Sequence, residues 1–392
     1  MRTRIVTNLA DVDADAWNAL VPADALFARH EFLAAIERSG SVGADTSWEP
    51  QHVLVESATG GLVGALPLYL KWDSFGEFVF DFSWAAAYER QGLAWYPKLV
   101  ACTPFTPATG PHLLVHPAAP AGAVRAALLA GARTLAAETN ASSLHLNFVT
   151  ESERALLAGP EFLPRVDCQF HWRDEGYGDF EGFLASFTAE KRKKMRRERR
   201  RVAEQGIRFE TLDGAALADG RLDVVLGFYT DTFRRHGHEP YLNRRFFLEF
   251  ARSSPARIMV KLALLREEPV GAAIFFQSDT TLYGRYWGAS EAYHSLHFET
   301  CYHQGIEHCL ARGLVRFEPG TQGEHKLLRG FRPTRTWSLH AIRDPRFAQA
   351  IARYLAGERD RVEQYIALAS GHVPYRHADA APVAHETPRL AP

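Results

Sequence analysis

Apolar and polar positions follow two periods along this chain, and the order in which the periods change predicts its elements. Trp17, Leu20, Phe32, Leu33 and Ile36 form a helical stripe interrupted at Val21 and Pro22, so two short helices are expected over residues 13–38. From Gln51 the period falls to two: QHVLVES, a turn at Gly60-Gly61 and LVGALPLYLK predict a β-hairpin. The aromatic stretch 72–96 comes next, assigned to core with an acceptor groove as the alternative, and then a Pro-rich connector, YPKLVACTPFTPATGP. A helix over 121–138 and the strand SLHLNFV at 143–149 complete this part.

After a break at Gly159-Pro160 the order of elements recurs. Phe180, Phe183, Leu184 and Phe187 are spaced i, i+3, i+4, i+7, which predicts a helix that the following basic run extends to Gln205. IRFETL is a strand and VVLGFYTDTFRRHG a helix with Gly at its end. Residues 258–289 predict three antiparallel strands turning at Glu267-Glu268 and Asp279-Thr280; a helix over 297–312, closed by Gly313, leads to the strand VRFEP. LVESATGGLVGALPLYL at 54–70 parallels LALLREEPVGAAIFFQS at 262–278, and each half then runs through a helix to LHLNF or VRFEP. The repeat predicts duplication of one α/β unit: an N-terminal domain over 1–165 and a C-terminal domain over 166–370 holding the reactive cleft and a basic helix at 188–205. The Pro- and Ala-rich residues 371–392 lack periodicity and are expected to be disordered.

Composition narrows the class. The 392 residues are 46% hydrophobic and 23% charged, ample for two cores, and 45 basic against 46 acidic side chains leave a net charge of −1. The distribution is uneven, because KRKKMRRERRR at 191–201 concentrates cations on an otherwise acidic body. Four cysteines form no CxxC pair, MRTRIVTNLADVDADAW lacks the apolar region of a signal peptide, and no run approaches the ~20 apolar residues of a membrane span. A cytoplasmic protein without a transmembrane segment is expected.

Four long stretches resemble one bacterial family. HWRDEGYGDFEGFLASFTAEKRKKMRRERRRVAEQGI, FYTDTFRRHGHEPYLNRRFF, LYGRYWGASEAYHSLHFETCYHQGIEHCLARGL and FEPGTQGEHKLLRGFRPTRTWSLH are similar to Fem-like peptidoglycan biosynthesis or recognition proteins of the GNAT superfamily, as is FSWAAAYERQGLAWYPKLVACTPFTPATGP. The resemblance implies an α/β (α+β) chain of two tandem GNAT-like acyltransferase domains, each a mixed, mostly antiparallel sheet flanked by helices. It implies an N-acyltransferase that moves an aminoacyl group from aminoacyl-tRNA to a primary amine, on a small-molecule or peptide acceptor such as a cell-wall precursor, with no cofactor. An acyl-CoA donor is the alternative, because the Gly-x-Gly/Ala turn that holds CoA pyrophosphate at a helix start is replaced here by GASEAYHSLHFET. A non-enzymatic protein that recognises cell-wall precursor or RNA is the alternative from another class.

Acyl transfer needs a proton acceptor, and Glu299, Glu318, His297 and His325 are the candidates near the last helix and strand. GTQGEHKLLRGFRP supplies Gly323, Lys326 and Arg329 for an anionic part of donor or acceptor; the match of Lys326, Gly330 and Phe331 to a Fem-type Lys-x-x-x-Gly-Phe segment is part of the resemblance. Tyr283 and Arg285 share one strand face by alternation, with Tyr286 on the other. Lys191, Lys193, Lys194, Arg196, Arg197 and Arg200 repel one another and call for an anionic partner, tRNA phosphates first and an anionic membrane surface next. No metal site is expected: His294, His297, His303 and His308 lack HExxH spacing.

Overall fold

A computed structural model of the chain describes residues 1–321 and 323–376. Fifteen strands appear in it: β1 (Arg2–Val6), β2 (Trp48–Pro50), β3 (His52–Glu56), β4 (Leu62–Leu66), β5 (Tyr69–Lys71), β6 (Lys98–Ala101), β7 (Leu114–Val115), β8 (Ser143–Val149), β9 (Leu163–Arg173), β10 (Ile207–Asp213), β11 (Ile258–Leu265), β12 (Glu268–Gln277), β13 (Thr281–Ala289), β14 (Arg316–Glu318) and β15 (Arg332–Ile342). They form a four-stranded sheet, β1-β3-β4-β7, and an eleven-stranded sheet, β10-β11-β12-β13-β14-β9-β15-β8-β6-β5-β2.

The duplication is visible in the pairing. The β3–β4 hairpin pairs Val55 with Gly64, and the β11–β12 hairpin pairs Ala263 with Gly271, so the two Val-Gly-Ala segments occupy like places. Each half then sets two strands parallel across a helix. β6 and β8 pair through Leu99–Leu144 to Ala101–Leu146 around the helix Ala121–Glu138, and β13 and β14 pair through Thr281–Arg316 to Tyr283–Glu318 around the helical segment Leu296–Arg312. A parallel pair cannot be joined by a tight turn, which is why each needs its helix.

The halves share one sheet. β15 lies between β9 and β8, so a strand from residues 332–342 closes onto the N-terminal half, and the boundary expected between 165 and 166 falls inside β9. A second seam is apolar: Phe32 packs edge-on against Phe246, Phe250 and Phe276 with centroids 5.1–5.5 Å apart, and Phe27 meets Tyr283 at 4.7 Å. Each fully buried ring stabilises by about 2–3 kcal/mol, which holds both halves to one core.

Several local expectations change. The helix expected over 180–205 breaks into Phe180–Ala185 and Ala189–Glu204. Phe187, between them, stacks on Tyr375 at 4.8 Å, and Arg376 donates to its carbonyl, so Gly371–Arg376 is ordered against the body; residues 377–392 of the expected disordered tail lie outside the described residues. The first meander turn centres on Arg266-Glu267, both with positive φ, one residue before the expected place. Trp84, Tyr88 and Trp95 of the aromatic stretch are core, but Trp72, Phe75, Phe80 and Phe82 are exposed.

Candidate functional site

β13 and β14 separate immediately after Tyr283 and Glu318, their last paired residues, and the candidate site is built around that divergence. The backbones touch where they part: a Cβ on Gly284 would meet the Cα of Pro319 at 3.2 Å, so the crossing needs a residue without one. From Gly284 to Ala289, β13 keeps β12 on one side and has no strand on the other among the described residues, leaving an edge of backbone donors and acceptors. The corresponding gap in the N-terminal half is closed by its own chain, where Gly110 bridges Val149. That half also carries Asn147 of LHLNF where VRFEP has Glu318.

Glu318 is buried at the carboxyl end of β14, on the sheet face turned toward the N-terminal half. Its Oε1 lies 3.2 Å from Arg316 Nε and 4.0 Å from His171 Nδ1, while its Oε2 is buried without a hydrogen-bond partner among the described residues. Burial pushes its carboxyl up to about 7, against the pull of Arg316 and Arg173. Asp24, from the N-terminal half, reaches the same surroundings; it accepts from the Thr280 backbone and hydroxyl and sits 3.9 Å from Arg316. Burial also drives His171 down to about 3, so that ring is neutral at physiological pH. Tyr283, raised by burial and by Glu318, lines a small cavity with Cys102, Thr103 and His112.

Arg285 is nearby, but the strand alternation is broken there. The register shift between Ile274 and Phe275 pairs those residues with Tyr286 and Gly284, so Arg285 is the extra residue of a β-bulge. Tyr286 therefore returns to the face of Tyr283, packing on Tyr229 at 4.6 Å, instead of the opposite face expected from strict alternation. The Arg285 guanidinium donates to the Phe105 carbonyl, and its Nε is buried without a partner among the described residues.

The other candidates gather on the opposite face of β13. His297 packs against Trp287, Tyr302 and His325 at 5.5–6.0 Å, and His325 Nε2 lies 2.8 Å from the Tyr302 hydroxyl. Burial lowers both imidazoles, His297 to about 4, so neither carries charge at neutral pH. Lys326 is 2% exposed; it donates to the Gly320 carbonyl at 2.7 Å, and burial lowers it to about 7. Gly323, at φ 110°, begins the turn that carries it. Arg329 lies 3.4 Å over the Phe298 ring and donates to both oxygens of Glu198 at 3.1 Å. A cavity of about 670 Å³ adjoins this face at the start of the helical segment, lined by Thr232, Arg235, Glu291, Tyr293 and His297.

Glu299 is tied into the scaffold. Its Oε1 accepts from Arg199 Nε at 3.2 Å and Gln304 Nε2 at 2.8 Å, and Arg199 also forks onto Glu307. The basic helix Ala189–Glu204 is thus anchored through Arg199, Met195 and Val202. Arg196 pairs with Glu181 and Arg200 with Glu204, and burial lowers the half-buried Lys191 to about 8. Lys193, Lys194 and Arg197 are exposed, with no carboxylate partner among the described residues.

Alternation in VRFEP already sets Arg316 beside Glu318, so that partner was within reach of the sequence. Asp24 and His171 were not, because one comes from a loop and the other from β9, neither of which has a strong period. Glu198, the one acid of the basic run, gave no sign that it faces Arg329.

The family model described as FemAB-like, peptidoglycan biosynthesis/recognition, matches residues 8–377. No curated protein matches the chain. Among solved structures, FemX is 12% identical and matches 90% of this chain and 100% of its own with a TM-score of 0.51. The C-terminal domain of a putative lysylphosphatidylglycerol synthetase from Agrobacterium fabrum is also 12% identical, over 89% and 97% of the chains, with a TM-score of 0.51. A tandem GNAT protein from the clavulanic acid biosynthesis pathway, 14% identical over 88% and 99%, has a TM-score of 0.44. At such identity the likeness to FemX and to the synthetase domain is one of fold, and it agrees with the repeated strand–helix–strand pairing: the chain is two tandem units of mixed, mostly antiparallel sheet.

Proposed function

The chain belongs to the FemAB-like family of peptidoglycan biosynthesis or recognition, and from that premise we propose an N-acyltransferase whose reaction takes place where β13 and β14 diverge. The observation that carries this is Glu318: a buried carboxylate, half unpartnered, at the last paired position before the gap and poised near pH 7. An ammonium cannot attack a carbonyl. Glu318 takes its proton, the freed amine nitrogen bonds to the carbonyl carbon of the activated ester, and the departing oxygen leaves with a proton. The open edge of β13 offers backbone N–H groups to the developing oxyanion, and Arg285 holds an anionic part of acceptor or donor. His297 and His325, on the far face, and Glu299, held by Arg199, do not take this role. Lys326 and Arg329 brace the 324–329 turn.

The donor in this reading is aminoacyl-tRNA and the acceptor a primary amine of a cell-wall precursor. Lys193, Lys194 and Arg197 present a cationic face with no carboxylate partner among the described residues, which suits phosphates. Binding of bulk aminoacylated tRNA across a salt series tests it. The protein should bind at low salt, with affinity falling steeply as salt rises, and the variant K193Q/K194Q/R197Q should lose both the affinity and about two to three units of the log–log slope. No binding at low salt, together with a rise in Tm at millimolar CoA, would replace tRNA by acyl-CoA as donor.

A further inference from the structure

Every exposed Trp and Phe among the described residues lies between positions 72 and 82: Trp72 at 49%, Phe75 at 58%, Phe80 at 54% and Phe82 at 44%. Phe82 joins Phe75 and Phe80 at centroid distances of 5.6 and 6.0 Å, so these three rings make one patch. The charge pattern of the segment is as uneven as its apolar pattern. Its two acids after Asp73, Glu77 and Asp81, are both buried, turned inward onto the fully buried Lys98, which also reaches Ser74 at 2.9 Å. From Ser74 to Ser83 the exposed side chains are therefore three phenylalanines and one serine, with no charge at the surface.

Polar contacts beneath hold the rings outward. The Phe75 carbonyl accepts from buried Lys71 and from Trp48 Nε1, each at 3.2 Å, and Arg165 donates to the Phe80 carbonyl at 2.7 Å. Phe78 has a positive φ of 58°, a strained conformation kept only where neighbours enforce it. Trp72 marks a polar boundary, its indole N–H donating to Glu49 at 2.6 Å. Burying Glu77, Asp81 and Lys98 to display bare aromatic rings is costly in a chain that remains in water.

We infer that the 72–82 loop is a membrane-docking element whose rings enter the headgroup–acyl boundary of a lipid bilayer. The chemistry fits that occupant. Amphipathic and aromatic rings partition to this boundary and exposed carboxylates oppose it; of the loop's three, Glu77 and Asp81 turn inward onto Lys98 and Asp73 pairs with Lys71. The loop adjoins the cleft, since Phe78 meets Tyr241, Gly76 abuts Phe105, and the Phe105 carbonyl holds Arg285. Docking there brings the cleft to the membrane surface, independently of whether Glu318 is the base.

Vesicles test it with the full-length protein. It should cosediment with phosphatidylcholine vesicles that carry no net charge, and F75S/F80S/F82S should weaken this by about tenfold or more. Trp72, the one exposed tryptophan among the described residues, should be quenched by brominated lipid; Trp72→Tyr should lose that quenching while still cosedimenting. The single variant Phe75→Ser and the Trp72 quenching remain readable if the triple variant does not fold. Transfer to a water-soluble acceptor amine should be unchanged in the aromatic variants, which separates this inference from the catalytic reading. The inference is overturned by absence of vesicle binding or by triple-variant binding equal to the parent's. Binding only to phosphatidylglycerol vesicles that K193Q/K194Q/R197Q abolishes, or a Trp72 response to soluble chitotetraose and not to vesicles, overturns it as well.

Discussion

At the scale of single residues, Glu318 shows how function and stability oppose each other. Its carboxyl is raised to about 7 in the fold, above the 4.5 of an exposed glutamate, so the folded chain binds more protons than the unfolded one between those values. Its contribution to stability is complete below pH 4.5 and is lost as pH rises through 7. Glu318→Gln removes that loss: Tm should exceed the parent's at pH 8, by the equivalent of at most ~3 kcal/mol, and the gap should narrow toward pH 5. A melting series over pH checks this, and a lower Tm at pH 8 would show the ionised carboxylate to be a structural partner instead. Arg199 makes the contrasting case. Arg199→Ala strands the buried Glu299, so it should cost about 3 kcal/mol in urea unfolding, and Glu299→Gln clearly less.

Elements show why some of this was legible and some was not. The helix Ala121–Glu138, strand Ser143–Val149 and the 258–289 meander followed directly from period and turn residues, because each has one apolar face and clear punctuation. β9 and β15 gave little signal. They lie side by side in the middle of the sheet, and β15 carries Thr334, Thr336 and Ser338 where an alternating apolar face was sought. The helix Pro345–Ser370 has Phe347, Ile351 and Leu355 at spacings of four and was open to prediction. The break at Ser186–Thr188 was not, since it depends on Tyr375 arriving from the far end of the chain, and the face of Tyr286 turns on a bulge that alternation cannot foresee. For the site, residue types were legible and faces were not: Glu318 and His297 sit close in sequence to one sheet edge yet on opposite sides of it. Gly330 tests the docking of the C-terminal segment. With φ 85° and a Cβ position 2.7 Å from both Phe187 and Tyr375, Gly330→Ala should lower stability by more than ~1 kcal/mol, read as a lower urea midpoint.

Across the whole molecule, β15 inserted beside β8 and the Phe32–Phe246–Phe276 seam bind the halves into one cooperative body. Urea unfolding should give coincident transitions by tryptophan fluorescence and far-UV circular dichroism, and two separated transitions would mean that the halves fold independently. This union also gives the cleft its walls, because Asp24 and Phe105 come from one half and Glu318 and Arg285 from the other. The C-terminal parallel pair stays open where the N-terminal pair is filled and carries Asn147. The most direct test of this account is the pH–rate profile of aminoacyl transfer from charged tRNA to a cell-wall precursor amine, for the parent and for Glu318→Gln. The parent's rate should rise through pH ~7 to a plateau, and the variant should bind tRNA equally but transfer about 100-fold more slowly without that inflection. Transfer by the variant at the parent's rate, with the inflection intact, would contradict it.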